Sequence, residues 1–283
     1  MTLTEQIESI KESNLSKANM KKAIMALGVT SYEANILTAD IATAKRAYTF
    51  GVEIEMLVPR STIVDKANEK GLNIRYEGYN HRDNKSYFKF VSDASIQGED
   101  PIECVSPVLR STNGFAKLKK CCEVINEAGA IVNRSTGLHV HIGAENLTDE
   151  QYASVFENYR HLEPVIDTFM ARSRRANNSR WCATLRDHII STAWSKERIA
   201  EELGSRYHKV NAESYYRHKT IEFRQHQGST DYKKISMWVK FCAKLVEWSK
   251  THLLDYDVDS IEDIEFLTKA EKDFFKSRAE QLS

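Results

Sequence analysis

Hydrophobic spacing divides the chain into segments of different period. Over residues 1–46, Ile7, Ile10, Leu15 and then Met20, Ile24, Met25 and Leu27 recur at roughly helical intervals in a charged, proline-free background. That pattern predicts short amphipathic helices forming an N-terminal arm. At AYTFGVEIEMLVPR the period changes, with aromatic and β-branched residues alternating with carboxylates until Pro59 closes the run. This is the pattern of a half-buried strand, and a catalytic or binding core is expected to begin there. Residues 61–70 predict a short helix, and YFKFVSD and PIECVSPVL predict strands separated by the turn-rich ASIQGED.

Phe115, Leu118, Cys122 and Ile125 then return to helical spacing before Gly129, which is placed to stop a helix. AIVN leads into TGLHVHIG, where strand alternation puts Gly137, His139 and His141 on one face and Leu138, Val140 and Ile142 on the other. Thr148, followed by Asp149 and Glu150, predicts the start of a helix carrying Tyr152, Val155, Phe156 and Tyr159, with Pro164 opening or kinking its continuation. KTIEFRQH predicts a strand, and Thr230 precedes a long helix with Ile235, Trp238, Val239, Cys242, Leu245 and Val246 on one face. The last thirty or so residues are charged and predicted helical. No internal repeat or βαβ array is visible, so the expected class is α+β.

Composition narrows the function classes. Across 283 residues, 40 basic and 40 acidic side chains cancel, which argues against a general nucleic-acid binder. No apolar run reaches the roughly 18 residues of a membrane helix, and the acidic start is unlike a signal peptide. Five cysteines, an odd number without a C-x-x-C pair, fit neither a disulfide framework nor a zinc knuckle. A soluble, cytoplasmic protein without a membrane partner is expected.

The candidate chemistry lies on the strands. Glu53 and Glu55 share a face, a costly pair of like charges unless a cation or solvent intervenes. Ordinary acids on a wet strand would look the same. H-x-H serves metals or phosphate and is also found merely hydrogen-bonded in half-buried sheets. Glu222 and Arg224 project together from TIEFRQH, either as a functional acid and base or as an intra-strand ion pair worth little. Glu103 and Asp93 stand near a turn. Residues 172–180 contain Arg172, Arg174, Arg175 and Arg180 and no acid, as in a solvated loop or an anion-binding one. Neither a Walker-type loop nor a G-x-G-x-x-G is present, so a phosphate would be held by metal and arginine. Together the acids and imidazoles suit magnesium or manganese better than structural zinc.

GVEIE, then D-x-S with ECVSP, then GLHVH, then SRR-x-N-x-x-x-W-C, then Tyr207 and Asn211 ahead of TIEFRQHQGS follow one another in an order that resembles the amidoligase family. That family sits in the carboxylate-amine ligase superfamily with glutamine synthetase and glutamate-cysteine ligase. The resemblance runs from about Phe50 to Trp248. Ala94 stands where the family commonly has glycine, Phe88 or Phe90 where tryptophan is expected, and Cys104 falls within the E-x-V-S-P strand.

The resemblance implies a twisted, largely antiparallel sheet forming a funnel-shaped active site with flanking helices. It implies an ATP-dependent ligase making an amide through an acyl phosphate, with two or three Mg2+ or Mn2+ ions. Glu53, His139 and Glu222 resemble the ligands of one ion, and Glu55 and Glu103, with Asp93, those of another. His141 is similar to the histidine that faces the nucleotide, and Arg224 to the arginine on the transferred phosphoryl group. Arg174 and Arg175 resemble the basic loop near ATP or the acyl phosphate. The partners would be a small-molecule or peptide carboxylate and an amine donor, and a homo-oligomer is compatible with the pattern. The expected division is an arm over 1–46, a catalytic domain over 47–251 and a helical tail over 252–283. Two other classes are a degenerate nucleotide-binding module and a metal-dependent hydrolase.

Overall fold

The structure is a computed structural model describing residues 3–13, 16–29, 48–78 and 86–283. Two compact units divide the chain, Met1–Tyr48 and Thr49–Ser283. In the first, α1 (Leu3–Glu12) and α2 (Lys17–Met25) form where helical spacing predicts them. Ser16 caps α2, its hydroxyl accepting from the Asn19 amide at 3.3 Å. Leu15 and residues 30–47, which the predicted arm and first strand include, lie outside the described residues.

In the second unit one mixed sheet organises the molecule. Its strands are β1 (Thr49–Leu57), β2 (Ile74–Glu77), β3 (Phe88–Val91), β4 (Pro101–Val105), β5 (Leu109–Arg110), β6 (Leu138–Gly143), β7 (Val210–Asn211) and β8 (Thr220–Phe223). They lie in the order β2-β3-β4-β1-β6-β8-β7, with β5 also pairing with β1. β2 and β3 pair in parallel, and the other pairings are antiparallel. β2 and β7 are additions to the strands expected from alternation. AIVN contributes only an isolated bridge, Ile131 to Leu57.

Alternation fixes which face does what. Phe50, Val52, Ile54 and Met56 of β1 are at most 2% exposed, and Phe90, Cys104, Leu138, Val140, Ile142, Ile221 and Phe223 are as deeply buried. α4 (Ser111–Glu127) and α8 (Tyr232–Trp248) help cover these strands: Phe115 of α4 meets Phe50 at 4.7 Å between rings, and α8 packs on β6. Burying four side chains of β1 contributes on the order of 6–12 kcal/mol. A one-residue slip would turn all four to the other face, so the register is firmly specified. The carboxylates of β1 are thereby held on the opposite side.

The remaining elements follow local chemistry. α3 (Arg60–Lys70) ends at Gly71, and α4 at Ala128 followed by Gly129, whose φ of +80° suits a residue without Cβ. α5 (Asp149–Thr168) begins with a capping box between Thr148 and Gln151. Pro164 neither opens nor ends a helix there, since α5 runs on through it to Thr168. The cap of α8 is Asp231 rather than Thr230, its carboxylate accepting from the amides of Lys233 and Lys234. α6 (Lys196–Leu203) and α7 (Ser214–His218) complete the segment before β8. The tail is not helical throughout: a short 3-10 turn at Ile261–Asp263 precedes α9 (Lys269–Leu282). Among the described residues no helix is long and apolar enough to cross a membrane.

Candidate active site

Antiparallel pairing lines up acids and imidazoles from four neighbouring strands. Glu103 lies opposite Glu55, Glu53 opposite His139, and His141 opposite Glu222. Asn211 on β7 faces Glu222 from the far side. In space His139 Nδ1 is 3.0 Å from Glu53 Oε2 and 3.7 Å from Glu222 Oε1, and its Nε2 is 3.6 Å from Glu55 Oε1. His141 Nε2 is 3.4 Å from Glu53 Oε1. Asp93, at the turn after β3, joins Glu55 and Glu103. Every acid and histidine singled out by alternation is therefore in one cluster.

Three overlapping groups in this cluster have ligand atoms within 4.8 Å of one another: Glu53, His141 and Glu222; Glu53, Glu103 and His139; Glu55, Asp93 and Glu103. Two carboxylate charges at that distance repel by about 3 kcal/mol at an effective dielectric of 20. Oxygen-rich groups with one imidazole match the preference of Mg2+ or Mn2+, and no cysteine takes part. The donor set fits such ions.

The charge states differ along the row. Burial pushes the Glu53 carboxyl up, but hydrogen bonds from His139 and His141 outweigh it and hold the group well below its usual range. Burial also opposes ionisation of Glu222, yet the Arg224 guanidinium brings it down to about 2. Glu103 has no such neighbour: burial, then the charges of Glu53 and Glu55, push it well above the usual carboxylate value. Burial disfavours the charged form of His141, but the Glu53 carboxylate more than offsets this and raises it. In the metal-free molecule the cluster thus stores its strain in Glu103.

The arginines separate. Arg224 Nη1 donates to Glu222 Oε1 at 2.5 Å and its guanidinium lies 5.9 Å from the Tyr207 ring, so it borders the cluster. Arg174 is 5% exposed and donates to the Thr136 carbonyl at 2.7 Å, beside Gly137. Arg175 turns away. Its guanidinium donates to the main-chain carbonyls of Met170 at 2.9 Å, Thr168 at 3.4 Å and Leu282 at 2.7 Å, and it is not among the acids. The 3-10 turn at Arg172–Arg174 ends between the two arginines, which sends them in different directions.

Several residues at the site had no assigned role from sequence. Gly137 donates its amide to Glu55 Oε2 at 2.6 Å, and a Cβ there would meet His139 Nε2 at 3.1 Å. Asn211 donates from Nδ2 to Glu222 Oε2 at 2.6 Å, so Glu222 is held on both oxygens. Thr220 receives His141 Nδ1 at 2.9 Å. Lys89, 3% exposed, lies by register opposite Val105, which itself faces Glu53. A lysine between two phenylalanines in YFKFVSD was the available signal for it.

A family model described as "Putative amidoligase enzyme" matches residues 46–246. The chain belongs to that amidoligase family. Its enzymatic type is accordingly that of the carboxylate-amine ligases. Among solved structures, this amidoligase is similar to a "novel glutamine synthase homolog". The two share 12% identity at a TM-score of 0.45, over 84% of this chain and 67% of the other, a likeness too slight to carry an argument. No curated protein matches the chain.

Proposed function

We propose that this amidoligase is an ATP-dependent ligase that uses Mg2+ or Mn2+ to join a carboxylate to an amine through an acyl phosphate. The observation carrying this reading is the acid and imidazole cluster abutting Arg224, a phosphate-directed cation beside a set of divalent-ion donors. Glu53, Glu55, Glu103, His139, Glu222 and Asp93 would hold the ions, which supply charge neutralisation for the phosphates. The catalytic domain would span 47–251, with the acid-bearing sheet face as one wall of a funnel.

A carboxylate is a poor electrophile, so one of its oxygens first attacks the γ-phosphorus of ATP. The bond from that phosphorus to the bridging oxygen breaks and ADP leaves. Arg224 would stabilise the charge on the transferring phosphoryl group, with Arg174 lending positive potential from beside Gly137. The amine then attacks the acyl carbon, phosphate departs and a proton is lost from nitrogen, leaving the amide.

An ADP-release assay crossing carboxylates with amines in the presence of Mg2+ tests the proposal, with mass measurement of any product. The expected product weighs one water less than the two substrates combined. Glu53→Gln and Glu222→Gln should each lower ADP release at least about 100-fold with an unchanged circular dichroism spectrum. Wild-type-like turnover in both variants would remove these residues from the site, and an absence of both ATP binding and ADP release in the wild type would sink the ligase.

A further inference from the structure

Proton counting around His141 decides which of its ring nitrogens is available. Ser214 Oγ donates to the Thr220 carbonyl at 3.1 Å, and the two hydroxyl oxygens lie 2.6 Å apart. The Ser214 proton is committed to the carbonyl, so the hydroxyl–hydroxyl bond uses the Thr220 proton. Thr220 Oγ1 can then only accept from His141 Nδ1, 2.9 Å away. In the neutral ring this puts the hydrogen on Nδ1 and the lone pair on Nε2.

That lone pair faces anions. Nε2 is buried without a hydrogen-bond partner, 3.4 Å from Glu53 Oε1, and it can be gathered with Glu53 and Glu222 oxygens within 4.8 Å. A buried orphan nitrogen is costly, and one aimed at two carboxylates calls for a cation between them. A ligating imidazole whose other nitrogen donates to a fixed acceptor is the usual arrangement at metal centres.

We propose that His141, through Nε2, is a direct ligand of a divalent ion held with Glu53 and Glu222, and that the Thr220 and Ser214 hydroxyls fix its tautomer. This departs from the nucleotide-facing role that the family resemblance implies. It leaves His139 to the neighbouring group with Glu53 and Glu103. The assignment rests on the metal dependence in the reading above, but not on ligase turnover.

Mn2+ titration of the full chain without nucleotide, followed by electron paramagnetic resonance, tests it. His141→Asn should bind one ion fewer than wild type, or bind it at least 10-fold more weakly. Thr220→Val should weaken the same ion about 10-fold or more, while Thr220→Ser, which keeps the hydroxyl, should restore it. Pulsed measurements on His139→Asn should still show nitrogen coupling to bound Mn2+. Loss of that coupling would overturn the proposal and leave His139 as the ligating imidazole. So would His141→Asn that kept every ion at wild-type affinity and lost only ATP affinity. Unchanged Mn2+ affinity in Thr220→Val would overturn the positioning role of the hydroxyls. Absent ADP release in a wild type that showed these metal effects would remove the ligase reading alone.

Discussion

Gly137 shows how a single position can serve three functional groups without a side chain of its own. A Cβ added there would sit 3.1 Å from His139 Nε2 and 3.4 Å from both Arg174 Nη2 and Glu55 Oε2. These are tight contacts whose relief moves a ligand by a few tenths of an ångström. Gly137→Ala should therefore cost little stability, about 1 kcal/mol, and lower Mn2+ affinity about 10-fold. Thermal melts and Mn2+ titration of the variant would separate the two effects, and unchanged metal affinity would count against the crowding. His226 carries a prediction of another kind. Burial, helped by nearby positive charge, depresses it from 6.5 to about 4, and its Nδ1–H donates to the Gln227 carbonyl beside the Trp238 ring. The unfolded chain takes up this proton before the folded one does. Its contribution is complete above pH 6.5 and is lost as pH falls toward 4, by about 3 kcal/mol in all. Urea melts should show wild type losing stability between pH 6.5 and 5, where Glu222 does not yet titrate. His226→Phe should flatten that slope.

Between elements, a buried polar network fastens helix α5 to the strands that carry Arg224. Lys209, fully buried, donates at 2.8 Å to both Glu163 and Asp167 of α5, while its own carbonyl accepts from the Arg224 amide at 2.8 Å. Glu163 also accepts from the Thr184 hydroxyl and, at 3.0 Å, from the Leu185 amide. Gln225 joins from β8's end, donating to Asp167 at 2.5 Å and to the Arg174 carbonyl at 3.1 Å. Helix, basic loop and strand thus share one set of bonds. Lys209→Met would leave two carboxylates without their cation, a loss of about 3–5 kcal/mol. Chemical denaturation measures it, and adding Glu163→Gln to the variant should recover part of the loss because one stranded charge is then gone. Full independence of the two substitutions would mean that the network is not coupled.

At the scale of the whole catalytic unit, repulsion within the acid cluster opposes folding and bound cations relieve it. A ligand that binds only the folded state adds about 2.7 kcal/mol at 100 times its Kd. Mg2+ or Mn2+ should therefore raise Tm measurably in wild type, and Glu53→Gln should shrink the increment because Glu53 belongs to two of the three groups. An equal shift in both proteins would place the stabilising ion elsewhere. The far end of the chain is tied into this unit as well. Phe275 of α9 packs at 4.6 Å between rings against Phe169 and at 5.4 Å against Phe241, and Arg175 holds the Leu282 carbonyl.

Alternation along GVEIE, LHVH and TIEFR was enough to choose the faces, because a strand's period of two leaves one face to pack and commits the other to polar partners. The apolar members of those runs are buried, and Glu53, Glu55, His139, His141 and Glu222 emerge together. The order of motifs, likewise legible in sequence, carried the family. Tertiary structure alone decided the neighbours: that Glu103 opposes Glu55, that His141 opposes Glu222 and leans on Thr220, and that Arg175 serves main-chain carbonyls while Arg174 stays beside Gly137. The physical reason is range. Periodicity is a property of adjacent residues, whereas the distances that tune a charge or place an ion are set between strands 80 or more residues apart, as with Glu53 and His139.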